Sequence, residues 1–156
     1  MNYMLHATLY TPQDAIGFAR GEGKRTVRKV QISEAAAEPA NRPNDFAGDV
    51  HVQAINRPDD GTEVEMLVVR FPAGARTTPH THEMEQTLHV IEGEGVVATE
   101  TELMPIKAGD VVMIPPHIWH WHGATPDSAM AHISIKPLGA TNWGAPEKNW
   151  AQYMDI

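Results

Sequence analysis

Two histidine pairs carry most of the chemistry this chain can offer. Pro79-His80-Thr81-His82 sets two imidazoles two residues apart, and His120-Trp121-His122 repeats the spacing further on. In a strand, residues two apart project from the same side, so each pair can aim both rings at one point. Gln86 shares the parity of His80 and His82, as do Met84, Leu88 and Val90, while Glu83, Glu85 and His89 have the opposite parity. The predicted face therefore carries His80, His82 and Gln86 above an apolar floor of Leu88 and Val90. Three imidazoles and one further donor suit a first-row divalent metal. A lone His-x-His is ordinary surface composition, so the wider spacing carries the weight.

That spacing resembles the cupin family. The family's first motif, G-x5-H-x-H-x3,4-E-x6-G, is met by Gly74, His80, His82, Gln86 and Gly93, with glutamine in place of glutamate. Its second, G-x5-P-x-G-x2-H-x3-N, is met by Gly109, Pro115 and His120, with departures at His117 and Ala124. The resemblance covers about residues 46–143. It implies an all-β, single-domain jelly-roll barrel holding a metal. Within the family the chain looks like the bacterial cupin hydroxynitrile lyases. That likeness implies one divalent ion, Mn(II) preferred with Fe, Ni or Zn possible, held by His80, His82, Gln86 and His120. It also implies an active-site role for His132 and matches Trp121-His122-Gly123 to the group's Trp-His-Gly. Glu83-Met84-Glu85 and Pro79 depart from the group beside the pocket, which bears on substrate choice.

Gln86 changes the electrical character of such a site. Three neutral imidazoles and an amide leave a divalent ion at a formal +2, where glutamate would give +1. The stronger Lewis acid favours polarising a hydroxyl or carbonyl. His132 or His122 is then the expected proton carrier, since imidazole titrates closest to neutral pH. The expected reaction is C–C cleavage or formation at a small α-hydroxy nitrile or related alcohol. A quercetinase-type or diketone-cleaving dioxygenase and a non-catalytic small-ligand-binding cupin remain open, because fold does not fix function.

The local pattern alone turns His132 outward, since Ala131, Ile133 and Ile135 make the other parity more apolar; its inward placement rests on the resemblance. His6, His51, His89 and His117 are expected at the surface or in loops. Trp119 and Trp121 oppose His120 in parity and are expected to pack. Met66, Met84, Met104, Met113 and Met130 are expected in the core, where flexible thioethers fill gaps.

Many short elements must position these groups. Strands are predicted at Lys24–Ile32, His51–Ile55, Glu63–Phe71, Thr87–Ile91, Val96–Glu100, Glu102–Ile106, Val111–Ile114, His120–His122 and Ala129–Ile135. Turns fall at 57–61, 72–75, 92–95, 108–110 and 124–127. Ser33 is positioned to cap one helical turn through Glu38, and 146–153 suggests a short helix. Frequent turns between short strands indicate a sandwich or barrel. Residues 1–45 are expected to form an arm that contributes to a dimer, 46–143 the barrel and 144–156 a tail.

The chain has 156 residues, about one domain's length, with 12 Gly and 12 Pro. Its net charge of −8 disfavours nucleic acid. The lack of cysteine excludes disulfides, thiolate zinc sites and cysteine nucleophiles. No apolar stretch is long enough to span a membrane, and residues 1–10 lack signal-peptide character. The expected setting is the cytoplasm. A small molecule is the expected substrate, and a homodimer or larger even oligomer the expected assembly.

Overall fold

The computed structural model describes residues 27–56 and 61–144. The described chain is nearly all β. Twelve strands follow one 3-10 turn at Glu34–Ala36: β1 (Glu38–Pro39), β2 (Phe46–Ala47), β3 (His51–Ala54), β4 (Val64–Phe71), β5 (Arg76–Thr77), β6 (Thr81–His82), β7 (Gln86–Thr99), β8 (Leu103–Lys107), β9 (Val111–Ile114), β10 (His120–Ala124), β11 (Met130–Pro137) and β12 (Thr141–Asn142). Ten of them join in one curled antiparallel sheet, ordered β1-β3-β4-β11-β7-β10-β5-β2, with β8 and β9 also paired to β7. Strands β6 and β12 form a separate pair. Among the described residues no helix is long and apolar enough to cross a membrane.

Strand β7 is the corner of the barrel. Its first half pairs with β9 and β11, and its second half with β8 and β10. The turn expected at 92–95 is therefore a bend inside one 14-residue strand. Gly93 makes the bend at φ +70°, and a side chain there would collide with the carbonyl oxygen of Ala129. Only glycine satisfies both demands. The bend also resets the face turned inward. Before it, even-numbered Leu88 and Val90 join the core; after it, odd-numbered Val97 does. One residue of slip exchanges faces because the strand period is two.

The core inside the barrel includes Val69, Phe71, Leu88, Val90, Ile106, Ile114 and Met130. Burying each such side chain contributes about 1.5–3 kcal/mol. A smaller cluster of Val96, Ala98 and Trp121 lies on the other face of β7 and β10, with Trp119 against it. The tryptophans thus pack as expected, and the Arg76 guanidinium lies 5.4 Å from the Trp121 ring centre.

Several expectations are corrected. Residues 27–32 of the strand expected at Lys24–Ile32 are irregular. Their backbone is tied to β3 by one buried amide: Gln53 donates to Gln31 O at 2.8 Å and accepts from Ser33 N at 3.1 Å. Ser33 makes no side-chain cap, and the turn after it is 3-10. Of the five core methionines expected, Met130 is buried and Met66 half-buried, but Met84, Met104 and Met113 are exposed. Met113 alternates with the inward Val112 and Ile114, so parity overrides its hydrophobicity. His51 and His89 are half-buried on strands, and His117 is exposed in a loop. His6, part of the turn at 57–61 and the helix at 146–153 lie outside the described residues.

Candidate metal centre

Backbone pairing brings the two histidine segments together. His80 and His120 exchange both backbone hydrogen bonds, at 2.9 and 3.0 Å, which sets their ring centres 4.3 Å apart. His82 is held by β12, paired with Thr141. Gln86 opens β7 and comes to the same place from the next turn of chain. His80, His82, Gln86 and His120 are all buried.

Hydrogen bonds at the outer ring nitrogens orient these groups. His80 Nδ1–H donates to Thr78 O at 2.8 Å, and His120 Nδ1–H donates to Ile118 O at 2.8 Å. A carbonyl only accepts, so both rings present an Nε2 lone pair when neutral. His82 Nδ1 bonds Thr141 Oγ1 at 2.9 Å. Gln86 Nε2 donates to Ser134 Oγ at 2.9 Å and so turns its Oε1 to the rings. That oxygen is 3.2 Å from His82 Nε2 and 3.1 Å from His120 Nε2.

Burial keeps these imidazoles neutral. Desolvation, followed by the neighbouring His120 and Lys136 charges, lowers His82 to about 4. Desolvation also brings His120 to about 4 and holds His80 well below the ordinary range. Neutral His120 then faces an amide oxygen lone pair to lone pair. A cation between them satisfies both, so the donor set fits a divalent metal.

His122 and His132 extend the cluster into the barrel. His122 Nδ1 lies 3.1 Å from His132 Nε2, close enough to share one proton. His122 Nε2 and His132 Nδ1 are buried without a hydrogen-bond partner among the described residues. One ring nitrogen from each of His80, His120 and His122 lies within 4.8 Å of the others, a grouping that could hold an ion and that takes His122 in place of the expected His82 as third imidazole. Burial, and then the neighbouring His132, drives His122 well below its ordinary range. Burial lowers His132 to about 3. Phe71 packs against both rings, with centres 5.9 and 5.5 Å away.

His132 faces inward, although its strand neighbours Ala131, Ile133 and Ile135 are apolar. Ala131 is itself only 2% exposed and the two isoleucines are half-buried. Both faces of β11 are covered, so apolarity does not mark the inside. A register shift between Ala131 and His132 accompanies this placement.

Sequence reasoning missed four neighbours. Ser134 and Lys136 share the parity of His132, a signal that was available. Thr141 approaches from β12, 59 residues from its partner His82, and no local pattern announces it. Trp143 lies against His80 at 4.4 Å between ring centres and touches Phe46 at 6.1 Å.

Residues 67–136 match the cupin domain family Cupin_2. A protein of Granulicella tundricola named (R)-mandelonitrile lyase is 40% identical over 92 residues, which cover 58% of this chain and 70% of that one. A solved cupin-like protein of Thermotoga maritima is 33% identical with a TM-score of 0.68, covering 77% of this chain and 92% of that one. A polyketide cyclase of Streptomyces resistomycificus also reaches a TM-score of 0.68, at 16% identity and covering 84% and 94% of the two chains. This last likeness is one of fold alone.

Proposed function

This chain belongs to the cupin family, and from that premise we propose that it is a metal-dependent lyase of the hydroxynitrile-lyase kind. Its substrate would be a small α-hydroxy nitrile or related alcohol. His80, His82, Gln86 and His120 would hold one divalent ion, with Mn(II) preferred. The observation that carries the reading is the neutral Gln86 oxygen, 3.1 and 3.2 Å from two imidazole nitrogens where the family motif has a carboxylate. The 40% identity to a protein named (R)-mandelonitrile lyase supports it.

The bound ion supplies Lewis acidity, which favours loss of a hydroxyl proton. The protein's own part is to receive that proton and return it. His122 Nε2 takes the proton from the substrate hydroxyl, and Nδ1 passes one on to His132 Nε2. The C–C bond breaks as the hydroxyl carbon becomes a carbonyl, and the bonding pair leaves with cyanide. The histidine pair then protonates the leaving group, so a cyanohydrin yields an aldehyde and hydrogen cyanide. Depressed proton affinity makes the pair a ready donor in that return step. Phe71 keeps the relay dry by packing on both rings.

The test is metal analysis of the purified protein followed by cyanohydrin cleavage with and without oxygen. The expected result is stoichiometric metal and cleavage that proceeds without oxygen. Activity that stops without oxygen would instead mark a dioxygenase. His82→Ala should strip the metal and His122→Ala should keep it; the reverse result would exchange their roles. A homodimer or larger even oligomer is part of the proposal, and light scattering at micromolar concentration tests it.

A further inference from the structure

Strand β11 turns Met130, His132, Ser134 and Lys136 to the barrel interior, each 9% exposed or less. The face runs from a thioether through the proton relay and the Gln86 contact to an ammonium group. Lys136 is directly opposite Glu65 on β4, and Lys136 Nζ lies 3.2 Å from Glu65 Oε1. Their side chains are 11% and 25% exposed, so the pair reaches solvent at its carboxylate side. Ser134, two residues from Lys136 on the same face of the strand, accepts a hydrogen bond from Gln86 Nε2 at 2.9 Å. The ammonium therefore borders the same interior space as the histidine cluster.

A lysine placed there is costly if it serves only the barrel. Burying an ammonium carries a desolvation penalty, and a divalent ion nearby would add repulsion. With the ion at +2, Lys136 at +1 and Glu65 at −1, the formal charge remains +2. Glu65 contacts the ammonium through one oxygen, while an ammonium has three donors. A second anion can share it.

We propose that Lys136 is a specificity residue that binds a carboxylate on the substrate, sharing its ammonium with Glu65. The substrate class is thereby narrowed to small α-hydroxy compounds that carry an anionic group. This rests on reading the histidine–Gln86 cluster as the metal centre.

The experiment measures binding by calorimetry to the full chain, with metal content determined in the same samples. The probes are mandelate and its neutral counterpart mandelamide. The expected result is that mandelate binds the parent at least tenfold more tightly than mandelamide. Lys136→Gln should remove most of that preference and leave mandelamide within about twofold. Lys136→Arg should restore part of it. Glu65→Gln should strengthen mandelate binding by removing the competing carboxylate, which keeps the test available if Lys136→Gln does not fold. Equal mandelate affinity in parent and Lys136→Gln, with metal retained, overturns the proposal and leaves the metal centre standing. A Lys136-dependent preference in protein that holds no metal overturns the metal reading and keeps the carboxylate site.

Discussion

The Oε1 of Gln86 and the Nε2 of His120 are 3.1 Å apart and both are acceptors. The tether of His120 Nδ1 to Ile118 O and of Gln86 Nε2 to Ser134 Oγ leaves each with a lone pair aimed at the other. Turning the amide over would instead direct two N–H donors at the imidazoles, and the Ser134 hydroxyl would then donate to the oxygen. The oxygen-inward orientation is thus the one that metal ligation would require. Removing metal with a chelator should flip the Gln86 amide. Side-chain 15N spectra should show its protons newly hydrogen-bonded, and restored metal should reverse the change. An identical amide signal in both states would count against ligation.

Gln86→Glu tests the charge argument. The two side chains are nearly isosteric, and the Ser134 hydroxyl can donate to a carboxylate as readily as it accepts from an amide. The variant should fold and retain metal. Its formal site charge falls from +2 to +1, which weakens the Lewis acid. Cyanohydrin cleavage should slow or move to higher pH. A full metal load with an undiminished rate across the pH range would remove the electrical reason for preferring a lyase.

The buried histidines set the acid limit of the fold. His80, His82, His120, His122 and His132 all have native proton affinities below the ordinary 6.5. Unfolding lets each bind a proton, so stability is full above pH 6.5 and falls as pH drops below it. Each group contributes a slope of up to about 1.4 kcal/mol per pH unit. Five such groups against a total stability of about 5–15 kcal/mol should unfold metal-free protein by about pH 5. Circular dichroism against pH checks this, and bound metal should shift the midpoint to lower pH. A metal-free midpoint below pH 4 would contradict the burial.

The fold class was legible because turn residues punctuate short apolar stretches, and the strands at 64–71, 103–107 and 111–114 fall within a residue of their expected bounds. The histidine pairs were legible through their spacing of two. The bend at Gly93 was not, because a positive-φ glycine inside a strand resembles a turn until its partners are known. Met104 and Met113 misled because hydrophobicity does not report direction on a strand covered unequally on its two faces, and Met84 because it lies in the bend between β6 and β7. Thr141 and Trp143 reach the site through tertiary folding alone.

His117 explains why the family motif places glycine at that position. It has φ +64°, in the left-handed region, while its N–H donates to His82 O at 2.9 Å. A side chain there costs about 1–2 kcal/mol, partly offset by the extra freedom glycine gives the unfolded chain. His117→Gly should stabilise the protein by about 0.5–1 kcal/mol, or roughly 1–4 °C in Tm. Metal content should be unchanged, since the backbone bond to His82 remains. Calorimetry showing a lower Tm would refute the strain.

His132 should matter to turnover without holding metal. It touches the centre only through His122, at 3.1 Å, and its other ring nitrogen has no partner among the described residues. Removing the ring strands His122 with no group to pass a proton to, while the Nδ1 tethers of His80 and His120 stay intact. His132→Ala should therefore keep stoichiometric metal and lose about 10²–10⁴-fold in kcat, the usual scale of acid–base loss. The cavity next to Phe71 would also lower stability, so folding must be checked by circular dichroism first. His132→Gln separates packing from proton transfer, because it fills much of the space and can bond His122 but cannot relay a proton. Recovery of stability without recovery of kcat in that variant is the expected result. Recovery of both would make His132 a packing residue and leave His122 to exchange protons alone.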